Sequence, residues 1–275
     1  MGKPARDRVP AVHTTGSDQI ATAFATRPGR AALMPYLMGG FPDVAESLSI
    51  GLACADNGAD LVELGVPYSD PLADGSVIHA AGTAALRAGT RMDDVLGVGE
   101  ELSRRLPVVL VCYVNLVLAR TPDGFARDLA RAGVSGLIVP DLPLEEAAEI
   151  RAACDEHGVA LVPLVAPTTP DERLRAIAEQ ARGFIYTVSV VGTTGERNGS
   201  DGGYRAIVER VRAHADVPIA IGFGISSPEQ ATAAAAAGVD GVIVGTRLVR
   251  AAAESDAPAA TVGELVARLS AAVIG

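Results

Sequence analysis

One sequence pattern recurs along the chain: an amphipathic stretch, then a glycine, then a short run rich in β-branched residues. The glycine is Gly58, Gly133, Gly158 or Gly238. Glycine is favoured just after a helix because it adopts the left-handed backbone conformation without a Cβ clash. Each occurrence of the pattern therefore predicts a helix-to-strand turn, and its repetition predicts alternating strands and helices.

This alternation predicts eight strands. They centre on about residues 32–38, 60–64, 107–112, 136–140, 160–165, 183–188, 217–221 and 241–244. Runs such as Val108 to Val111 are apolar on both faces, as parallel strands covered by helices are. We expect the α/β class, specifically a (β/α)₈ TIM barrel with an extra N-terminal helix. A doubly wound sheet is the alternative, but no G-x-G-x-x-G follows the first strand.

The composition limits domains, location and partners. The chain has 275 residues and a formal net charge of −10. We expect one catalytic domain at 17–275 after a disordered tail at 1–16. No apolar run reaches the roughly 18 residues of a membrane span, and no secretory signal is visible, which predicts a cytoplasmic protein with no membrane contact. The acidic balance argues against a nucleic-acid partner.

Several residue types are too scarce or too scattered for some chemistries. Lys3 is the only lysine and lies in the tail, so the core lacks the residue needed for a Schiff base or a Walker-type phosphate site. The four histidines do not form a metal-binding pattern, and we expect no metal. Cys54, Cys112 and Cys154 lack C-x-x-C spacing and are expected to be reduced core residues.

Glu63 is the first candidate for chemistry. In the strand Leu61-Val62-Glu63-Leu64, the period of two places Leu61 and Glu63 on one face. A carboxyl group in such an apolar setting has a raised pKa, which suits proton transfer at the carboxyl end of a barrel strand. The alternative is a buried structural ion pair with an arginine.

A second carboxylate follows in the loop 67–75, which contains Pro67 and Pro71. Asp74 in this loop can face Glu63 across the barrel mouth, and two carboxylates in unlike environments can divide acid–base and charge-stabilising roles. Asp70 and Asp74 can equally be ordinary turn residues.

Two glycine turns follow the seventh and eighth predicted strands. They are Gly222-Phe223-Gly224-Ile225-Ser226 and Gly245-Thr246. Glycine permits close backbone approach, and amides at the start of the next helix attract an anion, so these turns predict a phosphate site. The alternative is two tight turns with no ligand.

Two further features lie at the predicted barrel mouth. Tyr113 and Tyr186 end the third and sixth strands, where they could line a flat apolar pocket or fill the core. The glycine-rich segment 192–203 follows the sixth strand, and we expect a mobile lid there instead of an ordinary connection.

The stretch from Leu61 to Gly75 resembles the signature of the tryptophan synthase α subunit family. Further matches, from about residue 18 to 273, include Met34-Pro35-Tyr36, Tyr113-Val114-Asn115, Val139-Pro140-Asp141-Leu142-Pro143 and both glycine turns. The resemblance implies a lyase of tryptophan biosynthesis that cleaves indole-3-glycerol phosphate to indole and glyceraldehyde 3-phosphate. It implies no cofactor, since pyridoxal phosphate would belong to the β subunit of an αββα heterotetramer.

The same resemblance implies roles for particular residues. Glu63 would move the protons, Asp74 would accept from the indole N–H, and Tyr186 would steady Glu63. The phosphate would be bound by Gly195, Phe223, Gly224, Gly245 and Thr246. The indole pocket would be lined by Tyr36, Val111, Tyr113, Ile138, Val165, Thr194 and Phe223. The partner and lid loops would include Ser69, Asp70, Gly192 and Thr193.

One departure bears on the partner. Val190 stands where many family members carry arginine, which puts lid closure and coupling to a β subunit in question. A stand-alone lyase that releases free indole is therefore an alternative, and a weakly active regulatory partner of a β subunit is another.

Overall fold

The computed structural model describes residues 14–26, 29–188, 204–222 and 224–273. The strands alternate with helices, as the recurring pattern around the glycines predicts. The described strands are Ala32–Met38 (β1), Val62–Gly65 (β2), Val108–Val111 (β3), Gly136–Ile138 (β4), Ala160–Leu161 (β5), Leu164–Val165 (β6), Ile185–Val188 (β7), Ile219–Gly222 (β8) and Gly241–Val244 (β9).

The described helices cover the outside of the strands and one end of the barrel. They are Gly16–Ala25 (α1), Val44–Asp56 (α2), Ser76–Arg87 (α3), Met92–Ser103 (α4), Val114–Leu118 (α5), Pro122–Arg131 (α6), Ala148–His157 (α7), Asp171–Ala178 (α8), Tyr204–Arg212 (α9), Pro228–Ala236 (α10), Thr246–Ala253 (α11) and Pro258–Ala272 (α12), with a short 3₁₀ helix at Leu144–Glu146. None of the described helices is long and apolar enough to cross a membrane.

The sheet is parallel and closes on itself. Its strand order is β5-β4-β3-β2-β1-β9-β8-β7-β6. The two end strands are halves of one stretch, 160–165, whose first half pairs with β4 and whose second half pairs with β7. Pro163 lies between the halves and has no N–H to donate. The predicted eight-stranded barrel is confirmed, with its fifth strand divided in two.

Side chains alternate between the barrel interior and the helix layer. Leu61 packs with Met34, Val109 and Ile243 inside the barrel, whereas Val62 and Leu64 belong to the core between strands and helices. The predicted alternation around Glu63 is therefore confirmed. It follows from the pleat of a strand, which sends successive side chains to opposite faces.

Helix α1 closes the amino-terminal end of the barrel. Thr15 caps this helix through a reciprocal capping box with Asp18. Ile20 and Ala23 pack among the interior side chains, and the ring of Phe24 lies 5.7 Å from that of Phe184. Because this end is filled, a large cavity can form only toward the other end, where the strands terminate.

The turn chemistry is largely as predicted. Gly58, Gly133, Gly158 and Gly238 all have positive φ angles, so left-handed glycines do follow these helices. Helix α10 is capped by the Ser227 side chain, and Pro170 takes the N-cap position of α8.

Candidate active site

A cavity of about 830 Å³ opens at the carboxyl ends of the strands. Its floor is lined by residues of the barrel strands. These are Tyr36, Glu63, Val111, Ile138, Leu164, Val165, Tyr186 and Ile243. The cavity is therefore mainly apolar at its base, with one carboxyl group among the hydrocarbon and tyrosine side chains. Such a site suits a flat apolar ligand that carries a few polar groups.

Glu63 is buried, with 2% of its surface exposed. It lies on β2 between Tyr36 of β1 and Val109 of β3 in the strand register. Its Oε1 atom receives no hydrogen bond from any described residue. The predicted alternative of an ion pair with an arginine is absent among the described residues, since none lies within ion-pair distance of Glu63.

Burial accounts for the proton affinity of Glu63. Desolvation raises the pKa of this carboxyl group from 4.5 to about 8. Without a nearby cation, the charged form lacks compensation for the loss of water, so the neutral form persists to higher pH. Glu63 can therefore hold or release a proton near neutral pH, which a general acid–base group must do.

Asp74 lines the same cavity from the loop between β2 and α3. The Tyr113 hydroxyl donates to its Oδ1 atom over 3.0 Å, and the Ala73 N–H donates to that hydroxyl over 2.9 Å. Desolvation raises the pKa of Asp74, while the Tyr113 hydrogen bond and the charge of His79 oppose the rise. Asp74 thus differs from Glu63 in being half-buried and hydrogen-bonded.

Tyr113 supports this loop through hydrogen bonds to Ala73 and Asp74. It is not among the cavity-lining residues, although the sequence placed it in the apolar pocket. Its ring stacks on that of Tyr68, with centroids 5.1 Å apart, and the Asn115 side chain donates to the Tyr68 hydroxyl. The long side chain of Tyr113 reaches across to Asp74 because β3 lies beside β2. The loop is therefore anchored by side chains from the segment that follows β3.

Tyr36 on β1 and Tyr186 on β7 both line the cavity together with Glu63. Each hydroxyl occupies space left by a glycine on the next strand. A Cβ atom added to Gly65 would lie 2.1 Å from the Tyr36 hydroxyl, and one added to Gly222 would lie 2.1 Å from the Tyr186 hydroxyl. Burial raises the pKa of both tyrosines, and the charge of Glu63 adds to the rise in each. Both phenols therefore stay protonated at neutral pH.

The two glycine turns lie at the rim of the cavity. Gly224 has a φ of 81°, which favours glycine, and precedes α10. Gly245 is the N-cap of α11 and supplies no side-chain cap, so the first amides of that helix have no intrahelical partner. Gly224, Gly245 and Thr246 all line the cavity. The arrangement can receive an anion at the positive end of a helix dipole.

Most of the predicted site residues in the described ranges line this cavity, but Tyr113 and two loop residues do not. Ser69 and Asp70 are exposed on the loop before α3 and do not line the cavity. Five predicted residues lie outside the described ranges: Gly192, Thr193, Thr194, Gly195 and Phe223. No group of three His, Cys, Asp or Glu side chains in the described ranges could hold a metal ion.

Sequence reasoning missed several cavity residues. Leu164, Ile225 and Ile243 are apolar residues whose direction depends on the strand break and the turn. Arg247 and Arg250 also line the cavity from α11. Their signal was present, because Arg247 directly follows Gly245-Thr246 and Arg250 lies one helical turn further along.

The sequence matches a known family over most of its length. Residues 23–272 match the family model described as "Tryptophan synthase alpha chain". A relative of that name from Synechococcus elongatus is 49% identical over 223 residues, which are 80% of this chain and 84% of the relative. Another from Gloeobacter violaceus is 45% identical over 251 residues, 90% of this chain and 91% of the relative.

Solved structures agree with the sequence matches. A chain of Mycobacterium tuberculosis tryptophan synthase is 42% identical, with a TM-score of 0.86, and the match covers 94% of this chain and 98% of that chain. A chain from the tryptophan synthase a2b2 complex of Pyrococcus furiosus is 34% identical, with a TM-score of 0.81, covering 88% of this chain and 98% of that chain. The cavity with Glu63 and Asp74 is thus found in a member of the tryptophan synthase alpha chain family, to which this chain belongs.

Proposed function

We propose that this α chain cleaves indole-3-glycerol phosphate to indole and glyceraldehyde 3-phosphate, as a step of tryptophan biosynthesis, with Glu63 as its proton-transfer group. The observation that carries the proposal is the buried Oε1 atom of Glu63, which has no hydrogen-bond partner among the described residues, in a cavity that Asp74 also lines. Membership of the tryptophan synthase alpha chain family supports the reaction.

The cleavage needs two proton movements, and one carboxyl group can perform both. Neutral Glu63 protonates C3 of the indole ring, which leaves a positive charge spread toward the ring nitrogen. The resulting carboxylate then removes the proton from the hydroxyl on the carbon attached to C3. The bond between that carbon and C3 breaks, its electrons neutralise the ring, and the hydroxyl carbon becomes the aldehyde of glyceraldehyde 3-phosphate. Glu63 ends protonated, as it began.

Asp74 is proposed to stabilise the cationic ring. Its carboxylate would accept a hydrogen bond from the indole N–H, and that bond strengthens as positive charge develops on the nitrogen. The Tyr113 hydroxyl, 3.0 Å from Oδ1, supports this assignment because it fixes the carboxylate and favours its charged form. Tyr186 is proposed to steady Glu63, supported by the effect of the Glu63 charge on the pKa of Tyr186.

The two ends of the cavity suit the two ends of the substrate. We assign the indole ring to the apolar floor formed by Tyr36, Val111, Ile138 and Val165, with Thr194 as a further predicted member. We assign the phosphate to the amides near Gly224, Gly245 and Thr246, with Gly195 and Phe223 as predicted contributors. The whole reaction uses proton transfers alone, so we propose that this chain needs no cofactor.

A β subunit is the proposed partner. The Pyrococcus furiosus neighbour comes from an a2b2 complex, and this chain aligns with 98% of that chain. The exposed residues Ser69 and Asp70, on the loop that ends at Asp74, are proposed to contact it together with Gly192 and Thr193. We further propose a cytoplasmic location and a single catalytic domain at 17–275 after a disordered tail.

The test measures indole release from indole-3-glycerol phosphate by wild type, Glu63→Gln and Asp74→Asn, each with and without a β subunit. We expect Glu63→Gln to lower kcat by at least about a thousandfold, because Gln cannot exchange a proton, and Asp74→Asn to lower it by about a hundredfold or more. Glu146→Gln, an exposed carboxyl outside the cavity, is the matched control.

The outcomes separate the alternatives. Strong activation of wild type by the β subunit supports the α-subunit role, whereas high activity unchanged by it selects a stand-alone lyase. Normal kcat in Glu63→Gln defeats the proposed mechanism. Absence of indole with wild type and β subunit together defeats the proposed reaction.

A further inference from the structure

We propose that Arg247 and Arg250 bind the phosphate of the substrate through their guanidinium groups, in addition to the backbone amides. The inference rests on the proposed function and adds to it the side chains that supply positive charge. Both arginines line the cavity at the end where Gly224, Gly245 and Thr246 lie.

The positions of the two arginines bring them to one rim. Arg247 is the second residue of α11 and is half-buried, and Arg250 follows three residues later on the same helix face. Helical side chains lean toward the amino terminus of their helix, so the Arg250 side chain extends back over the turn that contains Arg247. The buried residues Leu248 and Val249 hold the opposite side of α11 in the core.

Neither guanidinium group has a protein partner among the described residues. Elsewhere on the surface, Arg120, Arg173 and Arg210 each pair with a carboxylate. Arg247 lies in the first turn of α11, where the helix dipole disfavours a cation and the turn contains no acidic residue. An anion bound at this turn would remove the unfavourable interaction, since it would be attracted by both the amides and the guanidinium.

The charges also match. A phosphate monoester carries a charge of about −1.5 to −2 at pH 7, which two guanidinium groups can balance. Independent of these arginines, the buried Oε1 of Glu63, which no described residue hydrogen-bonds, marks the same cavity as a ligand site. Lys3, the only lysine, lies outside the described residues. Arginine is therefore the cation that lines this cavity in the described ranges.

The experiment measures binding of glycerol 3-phosphate by calorimetry, so that phosphate affinity is separated from turnover. Wild type is compared with Arg247→Ala, Arg250→Ala, the double variant, Arg247→Lys and the control Arg268→Ala on exposed α12 surface. We expect Kd to rise about tenfold for each single alanine variant and more for the double variant, since each removes a charge-assisted hydrogen bond. Arg247→Lys should lie between wild type and Arg247→Ala.

Three further measurements test the inference. Binding of indole, which lacks phosphate, should be unchanged in every arginine variant. The KM for indole-3-glycerol phosphate should rise with little change in kcat, and the salt dependence of glycerol 3-phosphate binding should weaken in the double variant.

Glycerol 3-phosphate binding equal to that of wild type in the double variant overturns the inference, while indole formation by wild type would leave the proposed function standing. A loss of β-subunit affinity with unchanged phosphate binding also overturns it and assigns the arginines to the partner. If wild type neither binds glycerol 3-phosphate nor forms indole, the proposed function itself fails.

Discussion

Replacing Glu63 by Gln should stabilise the protein, by an amount that grows with pH. The pKa of Glu63 is raised by burial from 4.5 in the unfolded chain to about 8 in the folded chain. Below pH 4.5 the group is protonated in both states and adds no cost. Between these values the unfolded chain loses the proton while the folded chain keeps it, so the unfolded state gains stability as pH rises.

The size of this effect follows from the pKa difference. Each pKa unit corresponds to about 1.4 kcal/mol, so at pH 7 burial of Glu63 costs roughly 3 kcal/mol, and above pH 8 the cost levels off near roughly 5 kcal/mol. The side chain is 2% exposed, so solvent screening reduces this cost little. Gln has nearly the same shape and does not titrate. The advantage of Glu63→Gln at pH 7 corresponds to a Tm increase of roughly 10 °C for a chain of this size.

The assay is urea unfolding of wild type and Glu63→Gln at intervals from pH 5 to 8.5. The difference in the free energy of unfolding should increase steadily across this range. Glu146→Gln, on an exposed carboxyl, should show no such increase. A difference that stays constant with pH, or that favours wild type at pH 8, would refute the assignment of Glu63 as a buried, uncompensated carboxyl group.

Three further predictions concern the rest of the molecule. Because Glu63 must begin the reaction protonated, kcat/KM for indole-3-glycerol phosphate should fall as pH rises through about 8. Initial rates of indole formation at a series of pH values measure this. A rise of kcat/KM there would contradict the role of Glu63 as the proton donor. Asp60→Asn should lower the free energy of unfolding, measured with urea, by about 3–5 kcal/mol, because it leaves Arg30 buried without its carboxylate. Asp56→Asn removes the carboxylate of the exposed pair with Arg105 and should lower it by under about 1 kcal/mol. Equal losses in the two variants would contradict this prediction. Gly65→Ala should raise KM about tenfold in steady-state kinetics, because the new Cβ pushes the Tyr36 ring into the cavity. Gly97→Ala, whose Cβ would meet open space, should leave KM unchanged. An unchanged KM in Gly65→Ala would exclude the contact between residue 65 and Tyr36.

Local patterns predicted most of the fold because their physical causes are local. Left-handed glycines at helix ends and apolar parallel strands depend on a few neighbouring residues, and both are present where expected. The divided fifth strand was missed, since it depends on where β4 and β7 stop offering partners around Pro163.

The candidate site also combines features that local sequence predicts with features that it does not. That Glu63 faces inward follows from the two-residue period of its strand. That Tyr113 supports Asp74, and does not line the cavity, depends on the distance between residues 39 positions apart in the chain. No periodicity in the sequence contains such a distance.

Local sequence patterns were enough to predict the alternation of elements, the inward carboxyl group, the glycine turns and the resemblance to a family. Each of these depends on residue type at short spacing. The tertiary structure was needed to show that Glu63 has no cationic partner among the described residues, that Asp74 is held by a tyrosine just after β3, and that Arg247 and Arg250 reach the cavity. Those properties depend on which distant segments the closed barrel brings together, and on how completely it removes water from a charge.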